Sequence, residues 1–321
     1  MLKYIARRLV IAIPELLVIS FLVFMIMYAA PGDFLDQFKL DPTISQETLE
    51  AMRKEYGLDK PAIIQYLTWL KNLFKGNLGY SFYYRRPVSS LIWARVNATL
   101  LLSVTSLLFS WGLGIGTGIY SALKKYSIGD RILTVFALTL IATPSFFLGL
   151  LMLYLAAKTG WFPISGMISI NYPQLSAWEK FKDVLWHMIL PVAALSLGSF
   201  ASLMRYMRGS LLDVLNEDYV IFARAKGMPE RVVIYKHALR NAINPMITFL
   251  GFSISGLLGG ALFIENVFGW PGMGRLIYQA LIQQDMYLVI ASGLISAILL
   301  VIGNLVADIL LALVDPRVRL S

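Results

Sequence analysis

Residues 217–245 read EDYVIFARAKGMPERVVIYKHALRNAINP, a helix-forming and basic stretch set between two long apolar runs. Gly227 can take positive φ without steric cost, and Pro229 suits the first turn of a following helix. The spacing therefore predicts two short helices, Glu217–Lys226 and Glu230–Arg240, broken at KGMP. Ala223 and Ala225 keep the first helix thin. On the second, Val232, Tyr235 and Leu239 form an apolar stripe, with Lys236 and Arg240 at i,i+4 on the wet side. A loop that merely joined two spans would need about 2–8 residues. The extra length suits either a plug for a groove on a cytoplasmic partner or an amphipathic loop at the membrane interface.

The apolar runs on either side are part of a chain-wide pattern. Of 321 residues, 58% are hydrophobic and 15% charged, whereas a soluble domain averages about 45–50% and about 25%. Stretches long enough to cross a bilayer, which takes about 20 residues, recur at Leu9–Ala30, Thr99–Leu123, Ile132–Ala157, Met188–Met204, Pro245–Phe263 and Leu288–Val314. The fourth is short and extends through His187 or past Arg205. The expected fold is an all-α membrane protein with six transmembrane helices. The N-terminus has the basic start and apolar core of a signal peptide, but its apolar run is long enough to span and no convincing cleavage site follows it. It is read as a retained first helix.

Charge sets the orientation. The N-terminus, the short loop with Lys124, Lys125 and Arg131, the 205–240 loop and the tail hold 15 Lys/Arg against 6 Asp/Glu. The opposite side holds 13 and 11. The positive-inside rule makes the first side, and both termini, cytoplasmic. The parts expected are residues 1–30 (N-terminus and first helix), 31–96 (an extracytoplasmic helical segment), 97–314 (a five-helix core containing the cytoplasmic loop 205–244) and 315–321 (a cytoplasmic tail). The net charge of +9 is then a topology signal. A nucleic-acid partner would need a clustered basic face with stacking aromatics, and the partners expected include lipids instead.

Within 31–96, Thr43 and Gln46 resemble a capping box ahead of a helix. A second helix, AIIQYLTWLKNLF, places Ile64, Leu67, Leu70 and Leu73 on one face beside Trp69 and Phe74. It suits a helix lying on the membrane or on its own bundle, or part of a docking surface for an external partner. Inside the second span, GLGIGTG offers two overlapping GxxxG pairs, Gly112/Gly116 and Gly114/Gly118, which suit close helix packing in lipid rather than a dinucleotide.

Glu15 and Asp308 are the ionisable residues clearly within spans, each roughly 10 Å in from the cytoplasmic face. They read as sharing a depth, with Arg205 or Arg8 as counter-charge, or as two snorkelling acids. Thr143, Ser145, Ser253 and Ser255 bond back to their helices or line a pathway. The chain has no cysteine and only His187 and His237, so thiolate chemistry is excluded and no metal site is expected. No G-x4-G-K-[ST] loop is present, so the chain does not itself hydrolyse ATP.

The 217–245 loop resembles the coupling segment of ABC importer permeases, whose pattern is E-A-A-x3-G-x9-I-x-L-P. Ala223, Gly227 and Leu239 match it, while Ile221, His237 and Arg240 depart. ARAKG followed by HALRNAINP is similar to the variant of the peptide/nickel permease family. ATLLLSVTSLLFSWGLGIGTGIYSALKK, TPSFFLGLLMLYLAAKTGWFPISG, ENVFGWPGMGRLIYQALIQQDMYLV and DPRVR resemble that family's landmarks in order. The short N-terminal lead and long first external segment resemble the B-type subunit of oligopeptide and dipeptide importers.

The resemblance implies a type I ABC importer in the cell (inner) membrane. Its partners would be a C-type permease, two ATPase subunits carrying ATP and Mg, and an extracytoplasmic substrate-binding protein. Ala223, Arg224, Ala225, Lys226, Gly227, His237 and Leu239 would belong to the ATPase-coupling loop. Glu265, Asn266, Arg275 and Asp285 would meet the binding protein, although the glycines and prolines of ENVFGWPGMGR equally suit a plain turn. The substrate implied is a short peptide; similar relatives carry oligosaccharides, nickel or glutathione. An ion-coupled secondary carrier is the reading of another class, against which the off-centre acids count. A membrane-embedded enzyme lacks a catalytic constellation.

Overall fold

The computed structural model describes residues 2–32, 34–40, 45–55, 57–255 and 261–314. The chain divides into two compact units. The first comprises Met1–Thr99 and Pro271–Val301, the second Leu100–Trp270 and Ile302–Ser321.

The first unit opens with α1 (Leu2–Ala29), a 3₁₀ turn (Phe34–Leu40), α2 (Gln46–Glu55) and α3 (Ala62–Leu73). An antiparallel ribbon follows, β1 (Tyr80–Ser81) with β2 (Arg86–Pro87), pairing Tyr80 with Pro87 and Ser81 with Arg86. The first turns of α4 (Val88–Leu123) then belong to this unit, as do α13 (Met273–Ile282) and the first half of α14 (Met286–Val314). The second unit holds the rest of α4 and α14, together with α5 (Ile128–Ala142), α6 (Ser145–Thr159), α7 (Ala177–Leu215), α8 (Asp218–Ala225), α9 (Glu230–Val232), a π-helical turn (Val233–Ala238), α10 (Leu239–Ala242), α11 (Asn244–Ser255) and α12 (Leu262–Val267).

Among the described residues, α1, α4, α7 and α14 are long and apolar enough to cross a membrane, and a bent pair, α5 with α6, makes a fifth. This corrects the third expected span. Ile132–Ala157 is not one helix but two, meeting at 105°. Pro144 is the cause: it has no N–H to donate and disfavours helical backbone at Thr143, which sits at φ −101°, ψ 124°. In the fifth expected span only α11, of 12 residues, precedes positions outside the described residues. The fourth expected span is the middle of a 39-residue α7, about 58 Å long. Ser176 starts α7 with a reciprocal capping box: its hydroxyl accepts from the Glu179 N–H while the Glu179 carboxylate accepts from the Ser176 N–H. The box expected at Thr43 lies outside the described residues; α2 starts instead with the Ser45 hydroxyl accepting from the Thr48 N–H.

The face of α3 also differs from expectation. Its buried residues are Gln65, Tyr66 and Trp69, while Ile63, Ile64 and Leu67 are exposed. Aromatic shape decides the matter. Tyr66 packs against Phe21 and Phe24 of α1, and its hydroxyl meets the Ser20 hydroxyl and donates to the Leu17 carbonyl. Burying Tyr66 and Trp69 removes more apolar area than burying Ile64 and Leu67 would. Leu70 and Leu73 also pack against this cluster.

In the second unit, α4 and α7 touch at Gly114 and Gly118. A Cβ on Gly118 would lie 2.7 Å from the Met204 carbonyl oxygen and from Met207 Cβ. One on Gly114 would lie 2.8 Å from Leu203 Cβ. Gly112 and Gly116 face open space. Only one of the two GxxxG pairs is therefore a close helix contact within this chain.

Candidate functional site: the loop between α7 and α11

Asn216 closes α7, and Glu217 stands as N-cap of α8. Lys226 caps the C-terminus of α8, Gly227 sits at φ +75°, and Pro229 precedes α9. The two-helix reading and its glycine break hold, with the second helix running on to Ala242. The apolar stripe on that helix is corrected. Val233, Ala238 and Ala242 are buried, Tyr235 is exposed, and Val232 and Leu239 are only half-buried. The π turn is responsible: its wider turn puts Val233 and Ala238, five residues apart, on the same inward face.

Val220 and Ala223 of α8 join Val233, Ala238 and Ala242 in one core with Met207 and Leu211 of α7 and Met246 of α11. The Ser210 hydroxyl donates to the Ala242 carbonyl at 2.8 Å, and Asn241 donates to the Tyr219 hydroxyl at 2.7 Å. The segment is thus docked on the end of α7 rather than hanging from it. Of the seven residues expected in the coupling loop, Ala223 faces inward, and its small methyl lets α8 lie close. His237 and Leu239 are half-buried in the same block. Arg224, Ala225, Lys226 and Gly227 are exposed. Arg224 is bonded to Glu230 at 2.8 Å, bridging the glycine turn; exposed pairs of this kind contribute up to about 1 kcal/mol. Sequence reasoning missed Ile221 and Phe222, which are 50% and 65% exposed beside Lys226. Their place one and two positions after buried Val220 was the available signal.

At the α4–α5 turn lies an ion pair with a buried carboxylate. The Asp130 carboxylate accepts from Arg208 Nε at 2.8 Å and Nη2 at 2.9 Å, from the Tyr126 N–H at 2.8 Å, and from the Ser121 hydroxyl. Bidentate pairing and the extra donors satisfy a carboxylate with almost no solvent. This pair ties the α4–α5 turn to α7.

The other candidate residues separate. Thr143 bonds back to the Thr139 carbonyl and Ser253 to the Phe249 carbonyl, each at 2.8 Å. Ser145 is exposed in the first turn of α6, and the Ser255 side chain lies outside the described residues. Glu15 is exposed on α1 and Arg205 on α7, and among the described residues neither makes an ion pair.

Two of the four expected docking residues are also corrected. Glu265 and Asp285 are fully buried, in the second and first unit respectively. Asp285 accepts from the Ser81 hydroxyl at 2.5 Å and from the N–H groups of Tyr83 and Leu288, pinning the ribbon to the start of α14. Burial pushes its carboxyl up from the ordinary range, against the pull of those donors. Asn266 donates to the Leu262 carbonyl, and Arg275 is half-buried.

Residues 114–320 match the family described as binding-protein-dependent transport system inner membrane component. Residues 1–103 match the N-terminal model of binding-protein-dependent transport system membrane components. This chain belongs to that family. The permease is 43% identical over 321 residues to the oligopeptide transport system permease protein AppB of Bacillus subtilis (strain 168), covering 99% of this chain and 100% of that one. It is 39% identical over 325 residues to a putative peptide permease of Brucella ovis, covering both chains fully. It is 35% identical over 320 residues to the glutathione transport system permease protein GsiC of Escherichia coli (strain K12), covering 99% of each. The permease is therefore a multi-pass inner membrane transport component, not an enzyme, of the kind that works in ABC transporter complexes.

Proposed function

We propose that this permease forms one half of the translocation pathway of an ATP-driven importer for short peptides. The single observation carrying the peptide reading is the end-to-end likeness to permeases named for oligopeptides and peptides, at 43% and 39% identity. The relative named for glutathione, itself a tripeptide, fits the same substrate class. The chain crosses six times with both termini inside, the α5–α6 pair forming one broken crossing. A second permease of the C type completes the pathway, and an extracytoplasmic binding protein delivers the peptide. Two ATPase subunits hold ATP and Mg and dock on the α8–α9 segment.

The docking assignment is supported by the shape of that segment. A firmly backed two-helix block carries exposed Ile221, Phe222 and Lys226 at its tip, as a plug for an apolar groove requires. Closure of the ATPase dimer would then push on the block and turn α7. Mild-detergent purification of the tagged permease from its native membrane, with mass spectrometry of what accompanies it, tests the assembly. Two ATPases and a second permease are expected. A permease that arrives alone would remove the docking role and bring back an ion-coupled carrier.

A further inference from the structure

A cavity of about 640 Å³ opens in the second unit against the inner half of α7. One side is a single stripe of α7: Ser202, Arg205, Tyr206, Gly209, Ser210 and Asp213. These fall at i, i+3, i+4, i+7, i+8 and i+11, one face of a helix. The opposite face of the same turns holds Leu203, Met204, Met207 and Leu211, all buried. Ile141 and the start of α11, at Pro245 and Met246, complete the wall.

An arginine on a spanning helix needs a counter-charge or water. Arg208 has Asp130, one turn away from Arg205 and on another face. Arg205 is exposed and, among the described residues, has no carboxylate partner. Its neighbour Tyr206 is held with its ring centroid 4.4 Å from that of Phe249. Asp213 lies eight residues on, about 12 Å along the axis. The two hydroxyls are already spent as donors, Ser202 to the Gly198 carbonyl and Ser210 to the Ala242 carbonyl. Among the described residues of the wall, the guanidinium and the carboxylate are the full charges, and the guanidinium is the deeper of the two in the orientation proposed above. A peptide arriving from outside meets Arg205 first.

We infer that Arg205, on the wall of this cavity, receives the C-terminal carboxylate of the peptide during translocation. The inference rests on the peptide reading above and adds to it a named contact and a reason for preferring free C-termini. A guanidinium matches a carboxylate with two parallel N–H donors, and the open cavity leaves both free.

The test uses the complete importer in proteoliposomes. ATP-driven uptake of a tripeptide with a free C-terminus is compared with uptake of its C-terminal amide, in wild type, Arg205→Gln and Arg205→Lys. The binding protein imposes its own preference on both, so the readout is the ratio of ratios, in which that preference cancels. Loss of one charge-assisted contact should lower carboxylate uptake by about ten-fold or more relative to amide uptake in Arg205→Gln. Arg205→Lys should recover part of it. Because the chain has no cysteine, Arg205→Cys also supplies its sole thiol, which a charged water-soluble maleimide should reach from the cytoplasmic side.

Equal loss for both peptides would overturn the inference while leaving peptide transport standing. So would a loss reversed by changing the anionic lipid content, which would make Arg205 a headgroup contact. Failure of Arg205→Gln to co-purify with the second permease would make it an interface residue and overturn the inference likewise. If wild type transports neither peptide, the substrate reading falls first and takes this one with it.

Discussion

Adding one methyl at Gly114 or Gly118 should damage the permease, while the same change at Gly112 or Gly116 should not. At Gly118 the new carbon would meet the Met204 carbonyl oxygen and Met207 Cβ at 2.7 Å, where ordinary contact is 3.4–4 Å. The oxygen belongs to helix backbone, so relief requires α4 and α7 to part by about 1 Å. A gap of that size forfeits a quarter to a half of each dispersion contact along the seam, which is lined by buried Leu203, Met204 and Met207. Overpacking of this kind costs about 1–3 kcal/mol per site. The double change Gly114→Ala/Gly118→Ala should then cost about 2–5 kcal/mol, somewhat less than additive because the two share one displacement. At about 2–4 °C per kcal/mol, the melting temperature in detergent should fall by roughly 4–20 °C. Gly112→Ala/Gly116→Ala meets nothing within 4 Å and should be neutral or slightly stabilising, since alanine favours helix over glycine by about 1 kcal/mol. Fluorescence-detected size-exclusion melting of the isolated permease reads both. Equal destabilisation by the two pairs would refute the assignment of the seam. Loss confined to the assembled importer for Gly112→Ala/Gly116→Ala would instead place a partner on that face.

Three further outcomes are expected. Gly227→Leu imposes the left-handed backbone penalty of about 1–2 kcal/mol without a clash, since nothing lies within 4 Å; insertion should persist while ATP hydrolysis uncouples from uptake, and normal ATP-driven uptake would remove the docking role. Asp130→Ala leaves the Arg208 guanidinium without its partner and should cost about 3–5 kcal/mol. Adding Arg208→Met should recover much of this, and a thermal-melt cycle in which the double variant is no better than the single would discount the pair. Because burial raises the Asp285 carboxyl in the folded state, its contribution is full below the ordinary carboxylate range and is lost as pH rises through the raised value. Stability should therefore fall with rising pH across that window in wild type and flatten in Asp285→Asn; identical pH–melting curves would discount the shift.

What the sequence revealed and what it hid follow from the range of the interactions involved. Gly227 was legible because positive φ is a local demand, met by one residue type and flanked here by helix formers. The 105° break was signalled locally too, by Pro144, yet the uninterrupted hydropathy of Ile132–Ala157 outweighed it. Burial of Glu265 and Asp285 was not legible: acids between spans look like surface, and Asp285 finds Ser81 from 204 positions away. The partnership of Asp130 with Arg208, 78 residues apart, was hidden for the same reason. The π turn displaced the stripe on the second helix because periodicity arguments assume 3.6 residues per turn. On α3 the pattern offered two apolar faces, and only contact with Phe21 and Phe24 chose between them.

Met207 occupies an unusual position in this arrangement. It lies in the core under Val220, Ala223 and Val233, and it is also the side chain against which Gly118 closes. The two contacts share one fully buried side chain, in an interior that packs closely. A displacement delivered to the exposed tip at Phe222 would pass through Met207 as through a gear tooth, and arrive at the α4–α7 seam as relative motion of two helices. Replacing Met207 with alanine would then act as a clutch: both sides would stay built, but the stroke would be lost between them.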